Sequence, residues 1–416
     1  MIPGRMHFGL GWIATFAILV ALHLFLFWHW GAIEFKGRRR LKSLICIATH
    51  IAAAVTLVVY FAGFFGGRSA EPYMRPLSYV AGFYLCEFFY LSGVCFGWDV
   101  GRIVLRVLAR VCGRRRSGRG AAFTRVGVPA PVFLGGTRDR RIPKRGGFPA
   151  VYGARTTLVI LLVCTVMSAF AFYVPQHIRV TRYDVEIDKR GSDLDHLKAV
   201  MISDAHMGVV IREEQIDEIV RLTMAEDPDV IFLAGDIFDE GTQTSLKAYA
   251  SERFKNLRAK YGVYFILGNH DDYRRDTEDV LGYLRRAGVV CLLDEVVLAG
   301  DAFYVVGRED RRADRDELSI LEARLTKDLP VILVDHKPVT DESAESGRIQ
   351  LQLSGHTHDG QIFPAHLFDP ITRTLSYGLY RRGEEQIIVS SGVGEFGVPV
   401  RLGSPAEIVA INIDLR

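Results

Sequence analysis

Beyond residue 177 the chain has one cysteine, Cys291, while Cys46, Cys86, Cys95, Cys112 and Cys164 all lie before it. The second half therefore cannot close an internal disulfide, and it has no CxxC pair or cysteine-rich zinc site. The first half lacks something else: four stretches, 8–33, 43–67, 77–98 and 156–177, carry no charge apart from Glu87. Each has roughly 20 residues or more, enough to cross a hydrocarbon core of about 30 Å. The first is long for a signal peptide and has no small-residue cleavage site before Glu34 and Phe35, so it reads as a retained helix. Glu87 is expected to be neutral or hydrogen-bonded inside a helix bundle. Few polar groups lie in these stretches and no internal repeat is visible, which argues against a transporter.

What is present is basic and clustered. Lys36, Arg38, Arg39, Arg40 and Lys42 lie between the first two stretches; Arg110, Arg114, Arg115, Arg116, Arg119, Arg125, Arg138, Arg140, Arg141, Lys144 and Arg145 lie between the last two. The net charge of +3 hides this asymmetry. Beside helix ends such loops read as cytoplasmic and as contacts for anionic lipid, rather than as a nucleic-acid surface. Four crossings then place everything after His177 on the outer face of the membrane. The expected organisation is three transmembrane helices in 1–109, a basic Gly/Pro-rich linker in 110–155, a fourth transmembrane helix in 156–178 and one further domain in 179–416.

That last part has an α/β texture. Short apolar runs at 197–202, 229–234, 262–267, 330–335 and 348–353 predict strands, most of them buried on both faces. Residues 212–228 put Ile216, Ile219, Val220 and Thr223 on one helical face. Residues 243–260 repeat the pattern with Leu246, Tyr249, Ala250 and Leu257, and 277–288 predict a third helix ended by Gly288. Residues 295–307 predict a hairpin turning at Gly300-Asp301.

The chemistry follows the strands. Asp204 and His206 come after the first, Asp236 and Asp239 after the second, Asn269, His270 and Asp271 after the third, His336 after the fourth, and His356 and His358 after the fifth. The C-terminal ends of parallel strands share one edge, where ligands bind. Imidazole, carboxylate and amide oxygen without thiolate suit Mn, Fe, Zn or similar ions. A set of seven among these, two aspartates, an asparagine and four histidines, exceeds one ion's set but suits two ions sharing a carboxylate, a pair that activates water and clamps phosphoryl oxygens. Hydrolysis of a phosphate ester is the natural expectation.

The ordered series "SDAHMG", "GDIFD", "GNHD", "DHKP" and "GHTHDGQ" resembles the calcineurin-like metallophosphoesterases, and the later "GLY" and "SSGVGEFGVPVRLGSPAEI" segments resemble their membrane-anchored bacterial branch. The resemblance covers roughly residues 180–416. It implies a layered β-sandwich flanked by helices; the apolar stretches add the expectation of an all-α four-helix transmembrane region before it, in a multi-pass protein of the bacterial inner membrane. It implies that Asp204, His206 and His358 bind one divalent ion, that Asn269, His336 and His356 bind the other, and that Asp236 bridges them. His270 would touch the phosphate or protonate the leaving oxygen, and Asp239 or Asp271 would orient a ligand histidine. Asp359 departs from the glycine that many members of the branch have after the second histidine; this bears on substrate fit rather than on the ligand set. His196 and His366 are read as ordinary polar residues, and His23, His29 and His50 as interfacial or packing residues.

Ile362, Phe363, Leu367, Phe368, Ile371, Leu375, Tyr377, Leu379 and Tyr380 form an apolar stretch that either admits an acyl chain or covers the core. Arg381, Arg382 and Arg401 are read as steering anionic head groups. The expected partners are a phosphorylated substrate, with a phospholipid or another envelope phosphate in view, and the membrane itself; no nucleic acid or protein partner is evident. Two alternatives stand beside the phosphoesterase. One is a cytoplasmic pyrophosphohydrolase of the UDP-diacylglucosamine type, and the other a membrane scaffold that binds metal without turnover.

Overall fold

The computed structural model describes residues 51, 54–63, 73–117, 154–239, 242–271, 277–310, 315–338, 347–365 and 375–416. The expected helix at 8–33, the basic loop at 36–42, most of the basic linker and His366 lie outside them. Among the described residues two helices, Met74–Ser117 and Ala154–Tyr173, contain spans long and apolar enough to cross a membrane, and Ala54–Gly63 is apolar but shorter. Four spans were expected; these two correspond to the third and fourth. The first of these helices runs past residue 98 to Ser117, because the following leucines, arginines and alanine are good helix formers.

The chain forms two compact units, Met1–Ile51 with Glu87–Thr165, and Ala52–Cys86 with Val166–Arg416. In the first, Phe88, Tyr90, Cys95 and Cys164 are buried, while Phe96, Trp98 and Leu105 face outward. The second contains two six-stranded sheets.

The first sheet has the order β1-β12-β2-β3-β4-β5, with β1 at Arg179–Ile187, β2 at His196–Ile202, β3 at Val230–Ala234, β4 at Val263–Ile266, β5 at Val290–Leu292 and β12 at Glu407–Leu415. Its pairs are parallel except β12 with β2. The second sheet has the order β10-β11-β9-β8-β7-β6, from Gly378–Arg382, Glu385–Val389, Leu351–Ser354, Val331–Val334, Phe303–Gly307 and Glu295–Ala299. Its two outer pairs are antiparallel and its inner three parallel.

The continuous apolar runs have a clear cause. Phe232 and Ala234 of β3 face the second sheet, where they meet Val305, Ile332 and Leu353. Ile231 and Leu233 point the other way, onto the helices Glu213–Ala225, Thr244–Phe254 and Thr277–Arg286. Both faces are covered, so alternation disappears. The outer face of the second sheet packs on the short helix Leu318–Glu322. This is the layered β-sandwich flanked by helices that the resemblance implied, with mixed rather than purely parallel sheets.

Local signals explain the helices. Glu213 and Glu214 sit in the first turn of their helix, and the Gln215 side chain accepts from the Arg212 amide at 3.2 Å, which favours the positive end of the dipole. Ile216, Ile219, Val220 and Thr223 are its buried face, as expected. The helix Thr244–Phe254 is shorter than the expected span; Leu246, Ala250 and Leu257 are buried in the core as expected, Tyr249 packs against it only partly buried, and Phe254 adds a fully buried contact. At the hairpin the Ala302 amide donates to the Ala299 carbonyl at 3.0 Å, and Gly300 and Asp301 between them both have positive φ, 56° and 54°, as a turn of the primed type needs.

Candidate metal centre

The C-terminal ends of β2, β3 and β4 in one sheet and of β8 and β9 in the other open onto the same edge of the sandwich. Turning the chain there takes left-handed backbone at residues other than glycine. Asp204, His206, Asp236, His356 and His358 have φ of 50°, 44°, 51°, 74° and 51°. Each such residue costs about 1–3 kcal/mol, and this strain is concentrated where seven chemically active side chains must face inward. Glycines make the approach possible: a Cβ on Gly268 would lie 2.2 Å from Asp236 Oδ1, and one on Gly355 would lie 2.2 Å from Asp204 Oδ2.

Two donor groups result. Asp204, His206 and His358 form one and Asp236, His336 and His356 the other, with the donor atoms of each group within 4.8 Å of one another. His206 Nε2 is 3.0 Å from His358 Nε2, and His336 Nε2 is 3.0 Å from Asp236 Oδ2. Asp236 also lies 3.9 Å from His206 Nε2, so its carboxylate stands between the groups. Asn269 is buried at the same edge. His270 is half-buried; its amide donates to Asp236 Oδ1 at 2.7 Å, and its ring lies 5.1 Å from that of His206.

Hydrogen bonds behind the rings decide which nitrogens face the centre. His336 Nδ1 lies 2.8 Å from the Ala234 carbonyl, which only accepts, so Nδ1 carries a proton and Nε2 is the nitrogen turned toward Asp236, 3.0 Å from its Oδ2. His206 Nδ1 is held in the same way by Asp239 Oδ1 at 2.8 Å. Asp239 is therefore the acid that orients a histidine. Asp271 instead accepts from the amides of Ile237, Phe238 and Gly268 at 3.0–3.1 Å and ties the β3 and β4 loops together.

Lone pairs from imidazoles and carboxylates that converge this closely require positive charge between them, and the donor set fits divalent cations. Without a metal, protons supply that charge. Burial pulls the His206 imidazole down, but the Asp239 carboxylate and its hydrogen bond, with Asp236 and Asp204, outweigh it and push it up to about 9. His336 is likewise lowered by burial and raised by Asp236 to about 10. The other pair goes the opposite way. Burial, helped by the His336 charge, pulls His356 down to about 3, and burial beside His206 holds His358 well below the usual histidine range. Burial raises Asp236, yet the charges of His336 and His270 keep it well below the ordinary carboxylate range.

Arg401 departs from expectation. It is fully buried and cannot steer a head group. Its Nη2 lies 3.2 Å from His358 Nδ1 and donates to the Ser391 and Gly392 carbonyls at 2.8 and 3.1 Å, while Nη1 donates to Pro405 at 2.6 Å. Nε stands 3.5 Å from Glu395 Oε1. Burial, only partly offset by Arg401, pushes the Glu395 carboxyl up to about 7. Arg381 is exposed and Arg382 half-buried. Phe396 and Gln361 were not singled out from the sequence. The Phe396 ring packs 4.6 Å from His270 and 5.4 Å from His206. The Gln361 side chain accepts from the Phe396 amide at 3.0 Å and donates to the carbonyls of Phe396 and Val398 at 3.3 Å. The one available signal was the glycine-dense run 392–397 after β11, a backbone able to approach a centre closely. His196, at 2.8 Å from Asp414 on the sheet rim, is an ordinary polar residue.

The calcineurin-like phosphoesterase family matches residues 197–360, which span β2 to the His358 turn. A metallophosphoesterase of Aquifex aeolicus is 32% identical over 270 residues, covering 61% of this chain and 98% of that protein. A transmembrane protein with metallophosphoesterase domain from Danio rerio is 29% identical over 281 residues, 62% of each chain. Its namesake from Bos taurus is 31% identical over 272 residues, 60% of this chain and 61% of that one. The chain belongs to the calcineurin-like metallophosphoesterase family. It spans slightly under two thirds of the zebrafish and bovine relatives.

Proposed function

We propose that this protein is a membrane-anchored hydrolase that cleaves a phosphate ester with two divalent metal ions, and that its substrate is a phospholipid or another phosphorylated envelope molecule. The observation that carries this reading is the convergence of metal-ligating atoms: His206 Nε2 against His358 Nε2, and His336 Nε2 against Asp236 Oδ2, each pair 3.0 Å apart. Asp204, His206 and His358 would hold one ion, and Asn269, His336 and His356 the other, with Asp236 shared. When bound, such a pair supplies Lewis acidity toward the phosphoryl oxygens and an activated water.

The chain's own residues do the rest. Asp239 and the Ala234 carbonyl keep His206 and His336 in the tautomer that directs Nε2 inward. His270 lies beside the Asp236 carboxylate, held there by its own amide, and its ring would donate a proton to the leaving oxygen. Outward-facing Val58, Val80, Val166 and Phe170 give the same unit an apolar helical surface suited to a bilayer. Membrane anchoring of the site favours a substrate that resides in the membrane.

The test is hydrolysis of an aryl phosphate, an aryl phosphodiester and a short-chain phosphatidate by the full chain in detergent with Mn²⁺, alongside Asp236→Ala and His270→Ala. Turnover by the parent, with bound metal lost in the first variant and turnover lost with metal retained in the second, is the expected result. Metal-loaded parent that turns over none of the three esters overturns the reading.

A further inference from the structure

The loop that carries Phe396 is held from two sides. On the site side, Val393 and Gly394 donate to the Ser203 and Asp204 carbonyls at 3.0 and 2.9 Å, and Gln361 brackets Phe396 through both its amide and its carbonyl. On the other side stand the apolar helices. The Tyr60 hydroxyl, buried on Ala54–Gly63, donates to the Gly397 carbonyl. The Arg401 amide donates at 2.8 Å to the carbonyl of Ala171, one of the last-turn carbonyls of its helix that have no partner within it. Gly82 lets the helix and loop touch: a Cβ there would meet Val400 Cγ1 at 3.3 Å, Val398 Cβ at 3.4 Å and Phe172 Cζ at 3.5 Å. All these residues belong to one compact unit.

A membrane anchor needs no hydrogen bond to a loop that lines the metal centre. Here three helical segments each make a specific contact with residues 397–401, and the residue immediately before them packs its ring at a tilt against His270, 4.6 Å away. We propose that these helices are part of the active-site architecture: they hold the loop so that Phe396 presses against His206 and His270, which makes Phe396 a positioning residue for the His270 ring. The chain of contact runs from Tyr60 and Gly82, through residues 397–400, to the Phe396 ring and then to the imidazole. Only the effect on turnover rests on the phosphoesterase reading; the mechanical coupling does not.

Hydrogen exchange and steady-state kinetics on the full chain in detergent micelles with Mn²⁺ test this together. The amides of Val393, Gly394, Phe396, Val400 and Arg401 are hydrogen-bonded, so their opening is measurable. Tyr60→Phe leaves a buried carbonyl without its donor and is expected to speed exchange across 393–401 by about tenfold. Gly82→Val, which wedges the loop away, is expected to do the same, whereas Gly93→Val on the same helix, where a Cβ meets nothing within 4 Å, changes nothing. With an aryl phosphate, Tyr60→Phe and Phe396→Ala are expected to lower kcat with little change in KM or in bound metal. Phe396→Tyr, which keeps the ring, restores it. Exchange unaltered in both Tyr60→Phe and Gly82→Val, or full kcat in metal-loaded Phe396→Ala, overturns the proposal. If the parent turns over no ester, the functional reading fails, while the exchange data still decide the coupling.

Discussion

Metal binding by this site should displace protons, and the structure says from where. His206 and His336 are raised to about 9 and about 10 in the metal-free centre, whereas His356 and His358 are neutral at ordinary pH. A histidine whose folded pKa exceeds its unfolded value stabilises the fold below about pH 6.5, and that contribution is lost as pH rises through the folded value. For His206 the rise from 6.5 to about 9 is worth roughly 3 kcal/mol. The same proton must leave before Nε2 binds a metal, so affinity rises with pH up to about 9–10. Titrating Mn²⁺ calorimetrically into the metal-free full chain at about pH 7.5, in two buffers of different ionisation enthalpy, reads the release directly, and about two protons are expected from these histidines. Asp239→Asn keeps an oxygen acceptor for Nδ1 but removes the charge that holds the His206 proton. It should cut the release by about one and weaken metal binding by about 10–100-fold. Equal heats in the two buffers for the parent, or an Asp239→Asn protein that releases as many protons as the parent, would refute the reasoning.

Two further outcomes follow from packing. Gly268→Ala puts a Cβ 2.2 Å from Asp236 Oδ1, so it should cost about 3 kcal/mol or more through forced displacement of the Asp236 carboxylate; thermal unfolding and bound-metal content measure this, and an unshifted transition with full metal would contradict the geometry. Arg401→Leu leaves Glu395 and several carbonyls buried without their cation, an expected loss of about 3–5 kcal/mol, whereas Arg401→Leu with Glu395→Leu should recover part of it because no charge remains unpaired; denaturant unfolding of the two variants distinguishes a coupled pair from independent losses.

The side chains that meet at the candidate metal centre were legible because their causes are local. Buried parallel strands read as short apolar runs, and the polar residues just beyond each run must lie at the strand's end; Asp204, Asp236, Asn269, His336 and His356 were found by that rule alone. The helix faces of Ile216 to Thr223 and the Gly300-Asp301 hairpin were legible for the same reason. Arg401 was misread because an arginine in a glycine-rich loop looks exposed until the carbonyls of Ser391, Gly392 and Pro405 are seen around it. Strands β1, β5, β10, β11 and β12 were not picked out beforehand. The pairing of β1 with β12 joins the start of the folded domain to its end, and nothing in either segment names the other.

By itself, the sequence determined the donor chemistry of the candidate metal centre, the α/β texture and the presence of apolar helical segments, since each follows from residue type and short-range period. Only the tertiary structure decided that two mixed sheets face one another, that Asp239 rather than Asp271 orients His206, and that Tyr60, Gly82 and Ala171 reach the loop bearing Phe396. Those outcomes depend on which distant surfaces bury each other's polar atoms, and that choice is made by the whole packed chain at once.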